Sequence, residues 1–135
     1  MVHLDRLKDI PIFAELEESA LESIAMVAND FDCAPGHVII QPNTAGSGMF
    51  VIEDGTVTIE TGHRVLERGA GEFVGELSLL SDRARSARVR AKTAVKGLAI
   101  SRFDFKRILE SEPSVALKIL EVVATRLADS IHPDH

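Results

Sequence analysis

The sequence has no tryptophan, no tyrosine and a single cysteine, Cys33, among its 135 residues. One cysteine cannot form an internal disulfide, which favours a reducing compartment. No apolar run approaches the roughly 18 residues of a membrane-spanning helix. Charged residues interrupt every apolar stretch of the N-terminal MVHLDRLKDIPIF, which argues against a secretory signal peptide. These absences predict a soluble, cytoplasmic protein.

Basic residues are also in deficit. Fifteen Lys and Arg face twenty-one Asp and Glu, for a net charge of -6, which opposes general attraction to DNA or to an anionic membrane. Four arginines nevertheless cluster near residue 87, namely Arg83, Arg85, Arg88 and Arg90. We expect all of them except Arg85 to lie on a solvated face.

The length and the 45% hydrophobic content predict one globular domain over residues 1–135. Changes in hydrophobic period divide it into three parts. These are a helical N-terminal cap at about 1–29, a β-rich region at 30–101 and C-terminal helices at 102–132.

The central region is punctuated by glycine and proline, as expected for short strands joined by tight turns. In MFVIE-DG-TVTIE, two β-rich runs flank Asp54-Gly55, which predicts a hairpin with a two-residue type I′ turn. A weaker turn is expected at Thr61-Gly62. Further strands are predicted near 31–34, 37–41, 64–67, 86–91 and 94–100. Many short antiparallel strands imply a sandwich or jelly roll.

Helical spacing frames this region. The N-terminal helices are expected to break at Pro11, with the main helix at 17–28. After a helix at 103–110, Pro113 suits the first turn of a longer helix of roughly 18 residues. The wide apolar stripe of that helix can pack on the strands, cover a ligand or pair with a second copy.

Residues 71–91, GEFVGELSLLSDRARSARVRA, combine features of an anion-binding site. Gly75 permits close backbone approach, and Glu76–Leu80 can form a short helix whose free N–H groups point at a phosphate. The Arg85 guanidinium can bind two phosphate oxygens, and the Glu76 carboxylate can accept from a sugar hydroxyl. The segment therefore suits a sugar phosphate.

The pattern F-x-G-E-L-x-L-L, four variable residues, then R-S-A-x-V resembles the phosphate-binding cassette of cyclic nucleotide-binding domains, as in bacterial catabolite activators and regulatory subunits of cAMP-dependent kinases. The resemblance covers about residues 5–130. It implies a mainly β protein with flanking helices: an eight-stranded antiparallel β-roll or jelly roll (double-stranded β-helix), N-terminal helices, a short internal phosphate-binding helix and two C-terminal helices. It also implies a regulatory binding domain, not an enzyme, with cAMP as ligand or, less favoured, cGMP.

Seven residues are assigned to the ligand by this resemblance: Gly75, Glu76, Leu77, Ser78, Arg85, Ser86 and Ala87. Arg85 would bind the exocyclic phosphate oxygens, and Glu76 would accept from the ribose 2′-OH. The other five would contribute backbone amides, a hydroxyl and contacts near the phosphate or base. No catalytic residue, metal or further cofactor is implied.

Three positions depart from the family pattern. Ser78 replaces a common alanine, Ala84 replaces a common proline, and Arg88 stands where threonine or an aromatic residue is frequent. If Arg85 faces the pocket, strand alternation turns Ala87, Val89 and Ala91 the same way and Arg88 outward. Ser86 leaves the choice between cAMP and cGMP open, with cAMP favoured.

The C-terminal helix is expected to move across the base when a ligand binds. Stacking on the base must come from aliphatic side chains, and the candidate caps are Leu120, Val123, Leu127 and Ile131. The same stripe is a candidate homodimer surface. The regulated partner, another protein or a further domain, is not identified.

Three alternatives remain open. A cupin-type metal enzyme is disfavoured because His37 and His63 fall on separate strands, while His132 and His135 flank Pro133 in a tail. A transcription regulator would need a recognition helix beyond residue 132, so direct DNA binding is expected only if the chain is a fragment. The third alternative keeps the fold, has lost the ligand and acts as a protein-interaction module.

Overall fold

The structure is a computed structural model that describes residues 2–41, 48–62, 64–75 and 87–131. The described helices are α1 Leu4–Lys8, α2 Glu18–Val27, α3 Arg102–Ser111 and α4 Pro113–Ile131. The described strands are β1 Asn29–Cys33, β2 Val38–Ile40, β3 Gly48–Asp54, β4 Val57–Glu60, β5 Val65–Arg68, β6 Phe73–Val74, β7 Arg88–Ala91 and β8 Val95–Ser101. The internal helix predicted at Glu76–Leu80 lies outside the described residues.

The strands form two four-stranded antiparallel sheets. One sheet has the order β1-β8-β3-β6 and the other the order β2-β7-β4-β5. Apolar side chains such as Ile52, Val57 and Val89 fill the space between the sheets. A second core packs the helices on the first sheet, with Phe13, Phe73 and other fully buried side chains. The predicted β-roll with flanking helices is confirmed.

The predicted hairpin at Asp54-Gly55 is wrong. β3 pairs with β8 and β6, whereas β4 pairs with β5 and β7, so the chain crosses from one sheet to the other at this turn. Gly55 has a φ of 99°, and a Cβ there would lie 2.2 Å from the Ala94 carbonyl oxygen. This glycine therefore serves a tight crossing, and the DG pair alone does not specify which strand becomes the partner.

The hairpin of this region lies at the weaker turn signal. β4 and β5 pair in register from Val57↔Arg68 to Glu60↔Val65. The Thr61 amide donates to the Arg64 carbonyl at 2.9 Å, and the Thr61 hydroxyl oxygen accepts from the Arg64 amide at 3.2 Å. A threonine side chain thus helps to close the turn.

The helix boundaries follow local chemistry. α1 ends before Pro11, and α2 lies within the predicted 17–28. The Ser101 hydroxyl caps α3 by accepting from the Asp104 amide at 3.1 Å. Pro113 begins α4, where its missing N–H costs no hydrogen bond. Neither α4 nor any other helix in the described ranges is apolar enough over a sufficient length to span a membrane.

Arg6 connects α1 to the first sheet. Its Nε lies 2.8 Å from Glu53 Oε2, its Nη2 lies 2.6 Å from Glu53 Oε1, and it also pairs with Asp30. The hydrogen bond from Arg6 lowers the pKa of Asp30, and the two carboxylates raise the pKa of Arg6. This bidentate contact fixes the helical cap on β1 and β3.

Candidate functional site

Two of the seven predicted ligand residues lie in the described part of the chain. Gly75 follows β6 and has a φ of 92°, a left-handed conformation that favours glycine. Ala87 is half-buried and immediately precedes β7. Glu76, Leu77, Ser78, Arg85 and Ser86 lie outside the described residues, so their roles stay predictions. The intervening segment connects the two sheets, because β6 belongs to one and β7 to the other.

The alternation predicted after the cassette is confirmed along β7. Val89 and Ala91 are buried, with 4% and 1% exposure, and belong to the core between the sheets. Arg88 and Arg90 alternate with them and share the other face. Arg90 donates to Glu60 at 3.2 Å and to the Gly36 carbonyl at 3.2 Å. Arg88 therefore lies on the face that points away from the core between the sheets.

A groove of about 390 Å³ lies between α4 and the strands β5 and β6. Its size falls within the range of small-molecule sites, roughly 300–1,000 Å³. The groove borders the strand that leads into Gly75. Its lining residues come from these three elements, from the loops next to β5 and β6, and from the N-terminal cap: Ile12, Arg64, Leu66, Arg68, Gly71, Glu72, Phe73, Val122, Thr125, Arg126 and Asp129.

Arginine dominates the polar lining of this groove. Arg64, Arg68 and Arg126 line it together with the carboxylates of Glu72 and Asp129, although the whole chain is acidic. The Arg68 Nε is shielded from solvent and has no hydrogen-bond partner within the described ranges. With three guanidinium groups against two carboxylates, the lining suits a ligand that carries negative charge or acceptor atoms.

Arg126 forms the contact that joins α4 to β6. Its Nη2 donates to the Phe73 carbonyl at 2.8 Å, and its Cζ lies 4.4 Å from the centroid of the Phe73 ring. Sequence reasoning missed this residue because Arg126 interrupts the apolar stripe of α4. An arginine at helical spacing from buried residues was the available signal.

The three candidate base caps whose side chains are described, Leu120, Val123 and Leu127, are divided between two faces of α4. Leu120 and Leu127 are 59% and 61% exposed, on a face turned away from the groove. Val123 packs against the helical core, and the side chain of Ile131 lies outside the description. Leu120, Val123 and Leu127 are not among the residues that line the groove. The capping role stays a prediction about the ligand-bound form.

The other reactive groups in the described part of the chain do not assemble into a second site. Burial, reinforced by Asp32, raises the pKa of the Cys33 thiol, which lowers its reactivity near neutral pH. Within the ranges that the structure describes, no group of three or more His, Cys, Asp or Glu side chains could hold a metal ion.

Comparisons with known proteins agree with this architecture. The family model for the cyclic nucleotide-binding domain matches residues 31–112, more than half of the chain. A cyclic nucleotide-gated potassium channel of Rhizobium etli is 35% identical over 117 residues, which cover 87% of this chain and 33% of the channel. The chain thus spans about a third of the length of the first curated relatives it matches.

Solved structures show the same fold. The catabolite activator protein of Thermus thermophilus superposes with a TM-score of 0.81 at 26% identity, covering 91% of this chain and 61% of that one. The regulatory subunit of a cAMP-independent protein kinase A from Trypanosoma brucei gives a TM-score of 0.78 at 25% identity, covering 90% and 46%. With the matched family model, these likenesses show that the chain belongs to the cyclic nucleotide-binding domain family.

Proposed function

We propose that this chain is a cytoplasmic single-domain sensor that binds cyclic AMP, with cyclic GMP as the second candidate, and performs no chemistry on it. The observation that carries the proposal is the family's cassette pattern, which begins at Phe73 and has Gly75 in a left-handed conformation. Gly75 lies two residues beyond Phe73, which lines an arginine-rich groove large enough for a small molecule. This arrangement suits an anionic ligand that spans the cassette and the groove.

Arg85 is assigned to the cyclic phosphate. A hydrogen bond to a charged group contributes about 1.5 to 3 kcal/mol, and about 1.4 kcal/mol corresponds to a tenfold change in affinity. Arg85→Ala should therefore lower cAMP affinity at least tenfold in calorimetric titrations. Arg83→Ala is the matched control, since it removes the same charge two residues earlier and should bind as the native chain does. Equal affinity of Arg85→Ala and the native chain would exclude this role.

Glu76 is assigned to the ribose 2′-OH, because a carboxylate is a strong acceptor for a hydroxyl. The native chain should bind cAMP more tightly than 2′-deoxy-cAMP, and Glu76→Gln should reduce that difference. Undiminished discrimination in the variant would argue against the assignment. The backbone amides of Gly75 and Leu77 and the groups of Ser78, Ser86 and Ala87 would complete the phosphate site.

Ligand binding is proposed to reposition α4. Its two faces support this coupling, since one face packs on the roll and lines the groove while the other carries exposed leucines. A ligand in the groove would change the contacts of the first face. The second face suits a homodimer, and an effector protein or domain would read the change. One helix can thus serve both roles because it uses different faces.

A second candidate function is a protein-interaction module that has lost cyclic nucleotide binding. The likeness to a kinase regulatory subunit described as cAMP-independent and the exposed leucines of α4 favour it. The chain can also be the sensor part of a larger regulator or enzyme, since it spans a third of its relatives. Titration with cAMP and cGMP distinguishes these functions. Saturable binding of either nucleotide supports the sensor, and the absence of binding for each of them supports the interaction module.

A further inference from the structure

The two halves of α4 are attached to the roll in different ways. The first half packs on the helical core through Val115 and Ile119, which are 1% and 2% exposed, and Val123 extends this contact. In the second half, residues 124 to 129, every side chain is exposed except that of Arg126, which is half-buried. The open groove lies beneath this second half. Apolar packing therefore holds only the first half.

Arg126 contacts Phe73, a residue of β6 that is held in the sheet. One guanidinium donates to the Phe73 carbonyl at 2.8 Å and lies 4.4 Å over the Phe73 ring. Both contacts are compatible, because a guanidinium stacks through its face while its N–H edge donates. Phe73 is 1% exposed and pairs with Val51 in the sheet. The second half of α4 is thus anchored to a strand that cannot follow the helix when it moves.

Phe73, which Arg126 contacts, also lies two residues before Gly75 of the cassette. β6 contains only Phe73 and Val74, and Gly75 follows with a φ of 92°. A change in the cassette backbone therefore reaches the Phe73 carbonyl within two residues. The groove lies between this strand and the helix.

We propose that Arg126 is a positioning residue: its contact with Phe73 sets the docked position of residues 124–131 of α4 and transmits changes in the cassette to the exposed face of that helix. The docking part rests on the contacts of Arg126 with Phe73 alone. The transmission part rests on the proposed function. Leu127 lies one residue beyond Arg126 and is 61% exposed, so a change at the anchor alters a surface available to a partner.

Amide hydrogen exchange on the full ligand-free chain tests the docking. Arg126→Gln should accelerate exchange of the amides of residues 125–129 at least tenfold and leave residues 115–122 unchanged, since the first half keeps its packing. Arg126→Lys should give an intermediate rate, because it keeps the charge and loses the planar fork. A melting curve for each variant confirms that it folds.

The matched control is Arg107→Gln. Arg107 also lies over a phenylalanine ring, 5.8 Å from the centroid of Phe103 on α3, so its loss removes a similar arginine away from the groove. Exchange in α4 should not change in this variant. Exchange in Arg126→Gln within twofold of the native chain, or acceleration spread evenly over both halves of α4, would overturn the docking role.

Saturating cAMP then tests transmission. In the native chain cAMP should change exchange of residues 125–129, and in Arg126→Gln that change should be at least fivefold smaller at full occupancy. An equal response in both proteins would overturn transmission. If calorimetry shows that the native chain does not bind cAMP or cGMP, the proposed function and transmission fail, while the ligand-free comparison still decides whether Arg126 docks the helix.

Discussion

The exposed face of α4 predicts a weak homodimer that two substitutions should dissociate. Leu117, Leu120, Ala124 and Leu127 follow one another at spacings of three and four residues, the pattern of a two-helix seam. The three leucines are 64%, 59% and 61% exposed. Leu120→Gln combined with Leu127→Gln replaces two of them with a polar residue of good helix propensity.

The expected stability of this dimer follows from those exposures. Full burial of a leucine side chain is worth about 1.5 to 3 kcal/mol, so the fraction still exposed offers about 1 to 2 kcal/mol per leucine. Six leucines in a two-fold dimer then contribute about 6 to 12 kcal/mol, against association costs of about 4 to 15 kcal/mol. The gain exceeds the cost by at most about 8 kcal/mol, so the dimer should dissociate in roughly the micromolar range or at higher concentrations. The double substitution removes four of the six leucines and should leave a monomer.

Sedimentation equilibrium over a concentration series measures this directly. The native mass should rise from 14.7 kDa toward twice that value, and the double variant should stay at the monomer mass. Met26→Gln is the control, because Met26 is 74% exposed on α2, outside the stripe. A native chain that remains monomeric at the highest concentration, or a double variant that dimerises equally well, would refute the reasoning.

Two further predictions concern stability. Arg6 lowers the pKa of Asp30, so the ionised Asp30 stabilises the fold above the ordinary carboxyl pKa of about 4, and this stabilisation is lost as pH falls through the lower folded pKa. Asp30→Asn should therefore lower the melting temperature near neutral pH but not in strong acid. A difference in melting temperature that does not depend on pH would contradict this prediction. A Cβ at Gly97 would lie 1.9 Å from the Val51 carbonyl oxygen, whereas one at Gly62 would meet no heavy atom within 4 Å. Gly97→Ala should therefore cost about 1 to 3 kcal/mol in denaturant unfolding and Gly62→Ala less than about 0.5 kcal/mol; equal costs would contradict the packing argument.

Local patterns in the sequence were sufficient for most elements. Apolar residues at helical spacing, with Pro113 in the first turn, predicted α4 closely. Period-two alternation predicted the inward faces of Val89 and Ala91. Such patterns reflect one buried face, which a segment carries whatever its neighbours are. These patterns can therefore be recognised without knowledge of the tertiary structure.

Strand partnership could not be predicted in the same way. Asp54-Gly55 is a strong local turn signal, yet β3 is buried on both faces between the helices and the roll interior, so its partners are distant strands. β6 was not predicted at all because two residues, Phe73 and Val74, show no period. Both errors concern contacts between residues far apart in the sequence.

The same distinction between local patterns and distant contacts applies to the candidate site. The cassette could be predicted because its residues are contiguous and their spacing resembles the family pattern. Its position along the chain follows from the sequence alone, whereas the roles of its residues outside the described ranges stay predictions. The groove was not found, because it exists only where α4 crosses β5 and β6. Arg68 and Arg126 are 58 positions apart in the sequence and meet through that crossing. The apolar stripe of α4 indicated how many apolar residues the helix carries, but it did not indicate that they are divided between two faces.

That division has a thermodynamic consequence for a sensor. Val115 and Ile119 hold one face of α4 on the core, and Leu120 and Leu127 expose the other. Any ligand-linked rotation or lift of the helix changes the presentation of the second face. Reciprocity then requires that a partner bound to that face changes the ligand affinity by the same factor. A protein bound to the exposed leucines of α4 is therefore expected to change the affinity of this domain for a cyclic nucleotide. A measurement of that affinity has to fix the concentration of the bound protein as well as that of the nucleotide.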